Sequence, residues 1–169
     1  LVASGFEQVE MTKPRKALKE AGAEVTIVST KAGQIQGMNH ADKGDKFDVD
    51  LTLDEARPGN FDALMIPGGL MNPDELRSTP AATEFARHFF DAGKPVAAIC
   101  HGPWVLCSTP ALRGKKATSF FAIKDDVVNA GATYVDAEVV RDGNIITSRK
   151  PDDLPAFMVE LMKAIRERK

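Results

Sequence analysis

Two adjacent residues, Cys100 and His101, have the types and the position best suited to chemistry in this sequence. They follow the apolar run Val96–Ile99 and precede Gly102 and Pro103, after which a second apolar stretch begins. A strand that runs directly into Cys-His-Gly-Pro and a helix is typical of a nucleophile elbow, whose sharp turn holds the nucleophile away from the backbone ladder. The positive end of the following helix is predicted to favour the thiolate, the form that attacks electrophiles. Gly102 leaves room for a substrate or a neighbouring backbone to approach closely.

The other cysteine, Cys107, lies in the helix predicted over residues 103–108 and is interpreted as a core residue. A lone cysteine is in general more often buried core than a nucleophile, and it is the elbow position that favours the second role for Cys100. A disulfide between the two is not expected at this spacing. A reducing cytoplasm is therefore the predicted location.

Paired glycines follow a second apolar run, at Gly68 and Gly69. Backbone N–H groups at such a turn can stabilise a developing oxyanion, but a plain turn is equally compatible with two glycines. A few residues on, Asp74 and Glu75 supply carboxylates. The sequence leaves open whether Asp74 caps a helix or reaches a histidine.

Two glutamates, Glu7 and Glu10, follow the first predicted strand and share one face of the next helix. A carboxylate beside a thiol raises the pKa of the thiol, unless the acid is protonated and donates a hydrogen bond to the thiolate. Acidic residues at a helix start often do no more than complement the helix dipole. Taken alone, Glu7 indicates only that.

The elements that must position these residues alternate between short β-branched runs and longer amphipathic stretches, which predicts parallel strands with crossover helices. Residues 1–169 are predicted to form one domain, since 43% of them are hydrophobic and no linker or repeat interrupts them. Strands are predicted at Leu1–Ala3, Glu24–Ser29, Ala63–Pro67, Pro95–Ile99, Lys116–Thr118 and Thr133–Val135, with hairpins formed by 34–37 with 46–50 and by 138–141 with 144–147. Helices are predicted over 8–21 with an opening turn broken at Pro14, from Thr79-Pro80 to Gly93, and from 152–155 to the basic residues 166–169.

Charge and hydropathy exclude several classes of function. The 22 Lys and Arg against 24 Asp and Glu give a formal net charge of −2, so no basic surplus exists for nucleic acid or an anionic membrane. No apolar stretch approaches the roughly 18 residues that span a bilayer. His40 and His88 are interpreted as solvated surface, and no Cys/His cluster indicates a metal site. The chain starts without Met on apolar residues, so the first strand is expected to be truncated.

Four segments together resemble the DJ-1/PfpI superfamily, in its branch of PfpI-type intracellular proteases and general stress proteins. They are 5–10 (Gly-Phe-Glu-Gln-Val-Glu), 66–69 (Ile-Pro-Gly-Gly), 93–103 around Cys-His-Gly-Pro, and 147–155. The resemblance runs through the whole chain in order. It implies a flavodoxin-like three-layer α/β sandwich with a mostly parallel central sheet, similar to class I glutamine amidotransferases.

The resemblance also implies roles for the residues at the elbow. Cys100 is the nucleophile beside His101, and a glutamate at a helix start hydrogen-bonds the thiol. That glutamate matches Glu10, although Glu7 also matches a family acid near the site. Asp74 matches an acid that a neighbouring subunit supplies to the histidine, which implies a homodimer or a ring of dimers. Because 70–72 is a residue longer than in some relatives, Glu75 is the alternative to Asp74.

Other positions depart from the family pattern. Lys150 stands where relatives often have a small residue and is expected to add positive charge near the pocket. Phe120, within Ser-Phe-Phe at 119–121, is expected to form an apolar pocket wall.

The function that the resemblance implies is a Cys100-dependent hydrolase or lyase acting on glyoxal-derived adducts or small peptides, with no cofactor. The alternative is a non-enzymatic oxidative-stress sensor or chaperone that uses oxidation of Cys100. An amidotransferase is excluded, because it needs a histidine well downstream of the cysteine and none follows His101.

Overall fold

The computed structural model describes residues 1–168. The strands are β1 (Phe6–Glu7), β2 (Val28–Ser29), β3 (Gln34–Asn39), β4 (Asp42–Asp48), β5 (Leu51–Thr52), β6 (Leu64–Ile66), β7 (Val96–Ile99), β8 (Lys116–Ala117), β9 (Thr133–Tyr134), β10 (Val139–Asp142) and β11 (Ile145–Ser148). The helices are α1 (Gln8–Glu20), α2 (Met71–Ser78), α3 (Pro80–Asp91), α4 (Pro103–Cys107), α5 (Lys124–Asn129) and α6 (Leu154–Glu167).

The central sheet has the order β10-β11-β7-β6, in which β6, β7 and β11 are parallel and β10 is antiparallel. Ile66 pairs with Ala98, and Ile99 pairs with Ser148, so these parallel strands end at the same edge. Residues that follow the three strands therefore emerge side by side. This register places the paired glycines next to the elbow.

The β7 strand is buried on both faces, as its continuous apolar sequence predicts. Ala97 and Ile99 pack with residues of α6 such as Phe157, and also against α1. Val96 and Ala98 pack on the opposite side in a cluster that includes Phe85 of α3. Helices thus cover both sides of a mostly parallel sheet, which confirms the predicted three-layer, flavodoxin-like α/β sandwich.

The predicted first strand is wrong in its position. Leu1–Ala3 is buried beside β6, and Val2 N–H donates to Val28 O at 2.9 Å, but the segment forms no regular ladder. The strand found is Phe6–Glu7, which pairs with β3 in a smaller sheet of order β1-β3-β4. The hairpins β3–β4 and β10–β11 are both present, the second turning at Asp142-Gly143 as predicted.

The helices also differ from the prediction. Helix α1 continues unbroken through Pro14, whose ring is buried. Helices α2 and α5 are not among the predicted helices: Gly68 and Gly69 precede α2 and Pro73 lies within it, whereas α5 has only six residues. Pro73 is nevertheless tolerated in α2, since it lies in the first turn where backbone N–H groups have no partner in the helix. None of the helices described in residues 1–168 is both long and apolar enough to cross a membrane.

Candidate active site

The elbow places Cys100 in a conformation that L residues rarely adopt. Its φ is +62°, in the left-handed region, and its backbone is held on both sides. Cys100 N–H donates to Ser148 O at 3.0 Å, and its carbonyl accepts from Phe120 N–H at 2.8 Å. A strained non-glycine residue costs about 1–3 kcal/mol and persists where its surroundings enforce it. The side chain is 8% exposed.

His101 lies directly against the thiol. Its Nδ1 is 3.3 Å from Sγ of Cys100, and its ring stacks on Phe120 with centroids 4.7 Å apart. Burial lowers the pKa of the imidazole. A neutral imidazole at this distance can accept the thiol proton.

Glu10 approaches the thiol from the first turn of α1. Its side chain is fully buried, and Oε2 accepts a hydrogen bond from Gly68 N–H at 2.8 Å. The other oxygen, Oε1, has no hydrogen-bond partner of good geometry among the described residues. Burial raises the pKa of Glu10 to about 8, and the charge of Glu7 adds to this rise, while hydrogen bonds with Gly68 and Cys100 oppose it. At neutral pH the carboxyl group is therefore mostly protonated, with Oε1 available to carry the proton.

The expectation that the elbow favours the thiolate through its helix is wrong. Burial, reinforced by the negative charge of ionised Glu10, raises the pKa of the Cys100 thiol. The helix that follows has only five residues, so its dipole is small. Backbone N–H groups of His101 and Gly69 act in the opposite direction and lower the pKa of the thiol. Thiolate formation thus depends on the protonation of Glu10 and on proton transfer to His101.

The paired glycines are required by close approach. A Cβ atom at Gly68 would lie 2.6 Å from both Cys100 Cβ and Glu10 Oε2, which no side chain can do. Gly69 has φ +80°, and a Cβ there would lie 2.5 Å from Glu7 N. Gly102 is similarly restricted, since a Cβ would lie 2.7 Å from Ile66 O. Backbone at these positions can therefore come against the thiol.

Asn72 holds the glycine turn and was not singled out from the sequence. Its buried side chain donates from Nδ2 to Pro67 O at 2.8 Å and to Gly68 O at 3.1 Å. Its Oδ1 accepts from Ala3 N–H at 2.7 Å. An asparagine three residues after Gly69 gives no signal of this role in the sequence, because its partners are backbone atoms distant in the chain.

The remaining predicted acids are not brought to His101 within the chain. Asp74 is exposed on α2, and Glu75 accepts a hydrogen bond from Thr30 Oγ1 at 2.7 Å. Glu7 accepts from His40 N–H at 3.1 Å, at the β3–β4 turn. In residues 1–168, no carboxylate lies within salt-bridge distance of His101.

A cleft of about 500 Å³ lies beside Phe120. It is lined by Ser119, Phe120, Phe121, Lys124, Tyr134, Asp136, Arg149 and Lys150. Lys150 is thus in the lining, and its Nζ is 3.6 Å from Asp152. Arg149 is held by two nitrogens to Asp153 at 2.8 and 3.0 Å.

Cys107 packs against the core but is not fully enclosed, so the expectation of a sequestered core residue is only partly met. Burial raises the pKa of its thiol to about 11.

Fold and site together define a class: an α/β sandwich with a cysteine on a strand-to-helix elbow, a neighbouring histidine and a buried acid. The sequence matches the DJ-1/PfpI family over residues 1–164. This chain belongs to that family.

Named relatives and solved structures agree with this assignment. The chain is 48% identical to "Deglycase PfpI" of Pyrococcus furiosus over 166 residues, covering 98% of this chain and 97% of that protein. It is 45% identical to "Putative cysteine protease YraA" of Bacillus subtilis, covering 98% and 96%.

Among solved structures, Drosophila melanogaster DJ-1beta superposes with a TM-score of 0.85 at 29% identity, covering 98% of this chain and 90% of that one. A two-domain protein of Anabaena variabilis with DJ-1/ThiJ/PfpI-like and ferritin-like domains gives a TM-score of 0.89 at 41% identity. That alignment covers 95% of this chain but 45% of the longer protein.

Proposed function

We propose that this protein is a cysteine-dependent hydrolase or lyase that acts on glyoxal-derived adducts through Cys100. The observation that supports the proposal most strongly is the convergence of groups on one sulfur. Nδ1 of His101 lies 3.3 Å from it, backbone N–H groups of Gly69 and His101 oppose the rise in its pKa, and the Glu10 carboxyl, whose own pKa is raised to about 8, lies beside it. Such a set serves addition to a carbonyl carbon.

The first step is addition of Cys100 Sγ to the carbonyl carbon of the substrate. The C–S bond forms, the thiol proton passes to Nδ1 of His101, and the carbonyl π electrons become a lone pair on oxygen. An oxyanion on the carbon bound to sulfur is within reach of the N–H groups that face the sulfur, which stabilise it.

For a hemithioacetal or hemiaminal of a 2-oxoaldehyde, the attacked carbonyl is the aldehyde that forms when the hydroxyl proton of the adduct moves to the amine or thiol and the C–N or C–S bond breaks. The hydrogen on the carbon bound to Sγ then moves with its electron pair to the neighbouring ketone carbon, so that the first carbon is oxidised to a thioester and the second is reduced to an alcohol, which takes the proton from His101. Water hydrolyses the thioester, which releases a 2-hydroxy acid and restores the Cys100 thiol.

The same addition step serves a peptide bond, and small-peptide hydrolysis is the second substrate class. Relatives named deglycase and a relative named putative cysteine protease are both close in sequence to this chain. One feature favours adducts of small aldehydes: Cys100 is only 8% exposed, which suits a small substrate better than an extended chain.

The test compares turnover of a methylglyoxal hemithioacetal and of a chromogenic dipeptide amide by three proteins. The native protein should release the thiol from the hemithioacetal. Cys100→Ser should lose this activity by at least about a hundredfold while keeping its fold, because the hydroxyl is a much weaker nucleophile. Cys107→Ser is the matched control and should keep full activity. Native-level turnover by Cys100→Ser, or dipeptide cleavage in the absence of hemithioacetal turnover, would contradict the proposal.

We further propose that the site is completed in a homodimer or a ring of dimers, by Asp74 of the partner subunit. Three observations support this. His101 has no acidic partner within residues 1–168, and Asp74 is exposed. Large apolar side chains are exposed near both residues: Leu70 at 61%, Met71 at 63% and Phe121 at 75%. Exposed apolar surface of this kind marks an interaction site.

Mixing two inactive variants tests the shared site. Cys100→Ser supplies an intact Asp74, and Asp74→Ala supplies an intact Cys100, so mixed assemblies should regain part of the activity that neither has alone. Sedimentation should show an oligomer at assay concentration. A fully active monomer would rule the shared site out.

Oxidation of Cys100 is the alternative function, and the unpartnered Oε1 of Glu10 favours it. Two peroxide molecules convert the thiol to a sulfinic acid and leave two waters. A carboxyl proton on Oε1 could then hydrogen-bond a sulfinate oxygen. Mass spectrometry after mild peroxide, run beside the turnover assay, separates the two functions: a sulfinic acid at Cys100 without hemithioacetal turnover would establish the alternative.

A further inference from the structure

Aromatic side chains confine His101 on two sides. Its ring lies nearly parallel to that of Phe120, with 26° between the planes, and meets Trp104 at 67° with centroids 5.3 Å apart. Trp104 is three residues further along the chain, and its backbone N–H donates to His101 O at 3.0 Å. Such stacked and edge-to-face pairs have preferred geometries. The imidazole therefore has little freedom to turn.

Trp104 is itself held from two other helices. Its Nε1 donates to Asp126 Oδ2 of α5 at 3.1 Å. The guanidinium carbon of Arg77, on α2, lies 5.3 Å from the indole centroid, and Arg77 Nε donates to Ser108 Oγ at 3.3 Å. The indole position is thus determined by three helices and not by His101.

We propose that Trp104 is a positioning residue for His101, holding the imidazole against Phe120 so that Nδ1 stays on the Cys100 sulfur. The proposal rests on the proposed function of the Cys100–His101 pair. In a hydrolytic triad, a carboxylate fixes the histidine ring. No carboxylate does so within residues 1–168, and the two aromatic rings restrain the imidazole from within the chain, in addition to the proposed contact with Asp74 of the partner subunit.

Charged groups approach this arrangement from several elements. They are Glu10 and Cys100 on the side of Nδ1, Arg77 and Asp126 behind the indole, and Lys124 at the cleft lined by Phe120. Burial lowers the pKa of His101. Burial of the ring thus favours the neutral form, which accepts the thiol proton.

The indole gives a direct optical test, because Trp104 is the single tryptophan of the chain. A protonated imidazole quenches the fluorescence of an indole that it contacts. Emission of the native protein should therefore fall as pH falls, with a midpoint below the ordinary histidine value of about 6.5. The change should be absent in His101→Asn. Emission that does not change with pH, or that changes in the same way in His101→Asn, would overturn the proposal. This test needs no variant of Trp104.

Kinetics test the consequence for the reaction. Trp104→Leu should lower kcat for the hemithioacetal roughly ten- to a hundredfold with little change in KM, since a misplaced catalytic group costs rate more than binding. Trp104→Phe should restore part of the loss. Asp126→Ala should also lower kcat, whereas the neighbouring exposed Asp125→Ala is the matched control and should not.

The outcomes separate this inference from the proposed function. A fluorescence titration that depends on His101 in a protein without turnover would leave the positioning intact and refute the enzyme. Normal kcat in a folded Trp104→Leu would refute the positioning and leave the enzyme intact.

Discussion

Replacing Glu10 by glutamine should stabilise this protein at neutral pH and impair its site. The pKa of Glu10 is about 8 in the fold against 4.5 for an ordinary glutamate, mainly because the side chain is buried. Between these two values the folded chain keeps a proton that the unfolded chain releases. The free energy of unfolding therefore falls as pH rises through this window, by roughly 1.4 kcal/mol per pH unit.

The magnitude follows from the two pKa values. From about pH 5 to about pH 7, this group alone should remove on the order of 2–3 kcal/mol from the free energy of unfolding. Glutamine has the shape of the protonated acid, and its amide oxygen can accept from Gly68 N–H as Oε2 does. Glu10→Gln should therefore show a flatter dependence of stability on pH and become more stable than the native protein near pH 7, by about 2–3 kcal/mol. Its turnover should fall, because an amide cannot exchange a proton with the thiol.

The measurement is urea unfolding of both proteins at several pH values between 4.5 and 8. The difference between their free energies of unfolding should be near zero at the acidic end and grow with pH. Glu84→Gln, whose side chain is 77% exposed, is the matched surface control. Parallel curves for the native protein and Glu10→Gln would refute the reasoning, since they would mean that burial does not hold a proton on Glu10.

Further predictions concern the turn and the thiols. Gly68→Ala should destabilise the fold by about 1–3 kcal/mol through overpacking and should reduce turnover. At Gly59 an added Cβ meets nothing within 4 Å, so Gly59→Ala is the control and should do neither. Equal effects of the two substitutions in thermal unfolding would contradict this. Asn72→Ala should lower the free energy of unfolding by about 1–3 kcal/mol for each backbone group left buried without a partner, and it should slow turnover. If unfolding and kinetic assays show no change, the side chain does not hold the turn. Iodoacetamide should label Cys100 before Cys107 near neutral pH, although Cys100 is the more buried of the two, because Nδ1 of His101 lies 3.3 Å from its sulfur and can accept its proton. Equal labelling of the two cysteines by peptide mapping would argue against this.

Much of the fold was predictable because its signals are local. Val96–Ile99 is continuously apolar, and the structure buries it on both faces. Asp142-Gly143 is a hairpin turn in sequence and in structure. Less regular segments were not predictable: Leu1–Ala3 reads as a strand but lies beside its neighbours without a ladder, and α2 begins at paired glycines and a proline that suggest a loop.

For the site, the sequence by itself determined the candidate nucleophile and its neighbour, because a strand ending in Cys-His-Gly-Pro holds the thiol away from the ladder and places the imidazole next to it. The family resemblance limited the acid near the thiol to Glu7 or Glu10. Only the tertiary structure decided between them: Glu10 is buried against Gly68 and the sulfur, and Glu7 turns to His40. The protonation states, the hold of Asn72 on the glycine turn and the packing of Trp104 on His101 likewise depend on residues far apart in the chain. Burial and distance set them, and neither is a property of any short segment.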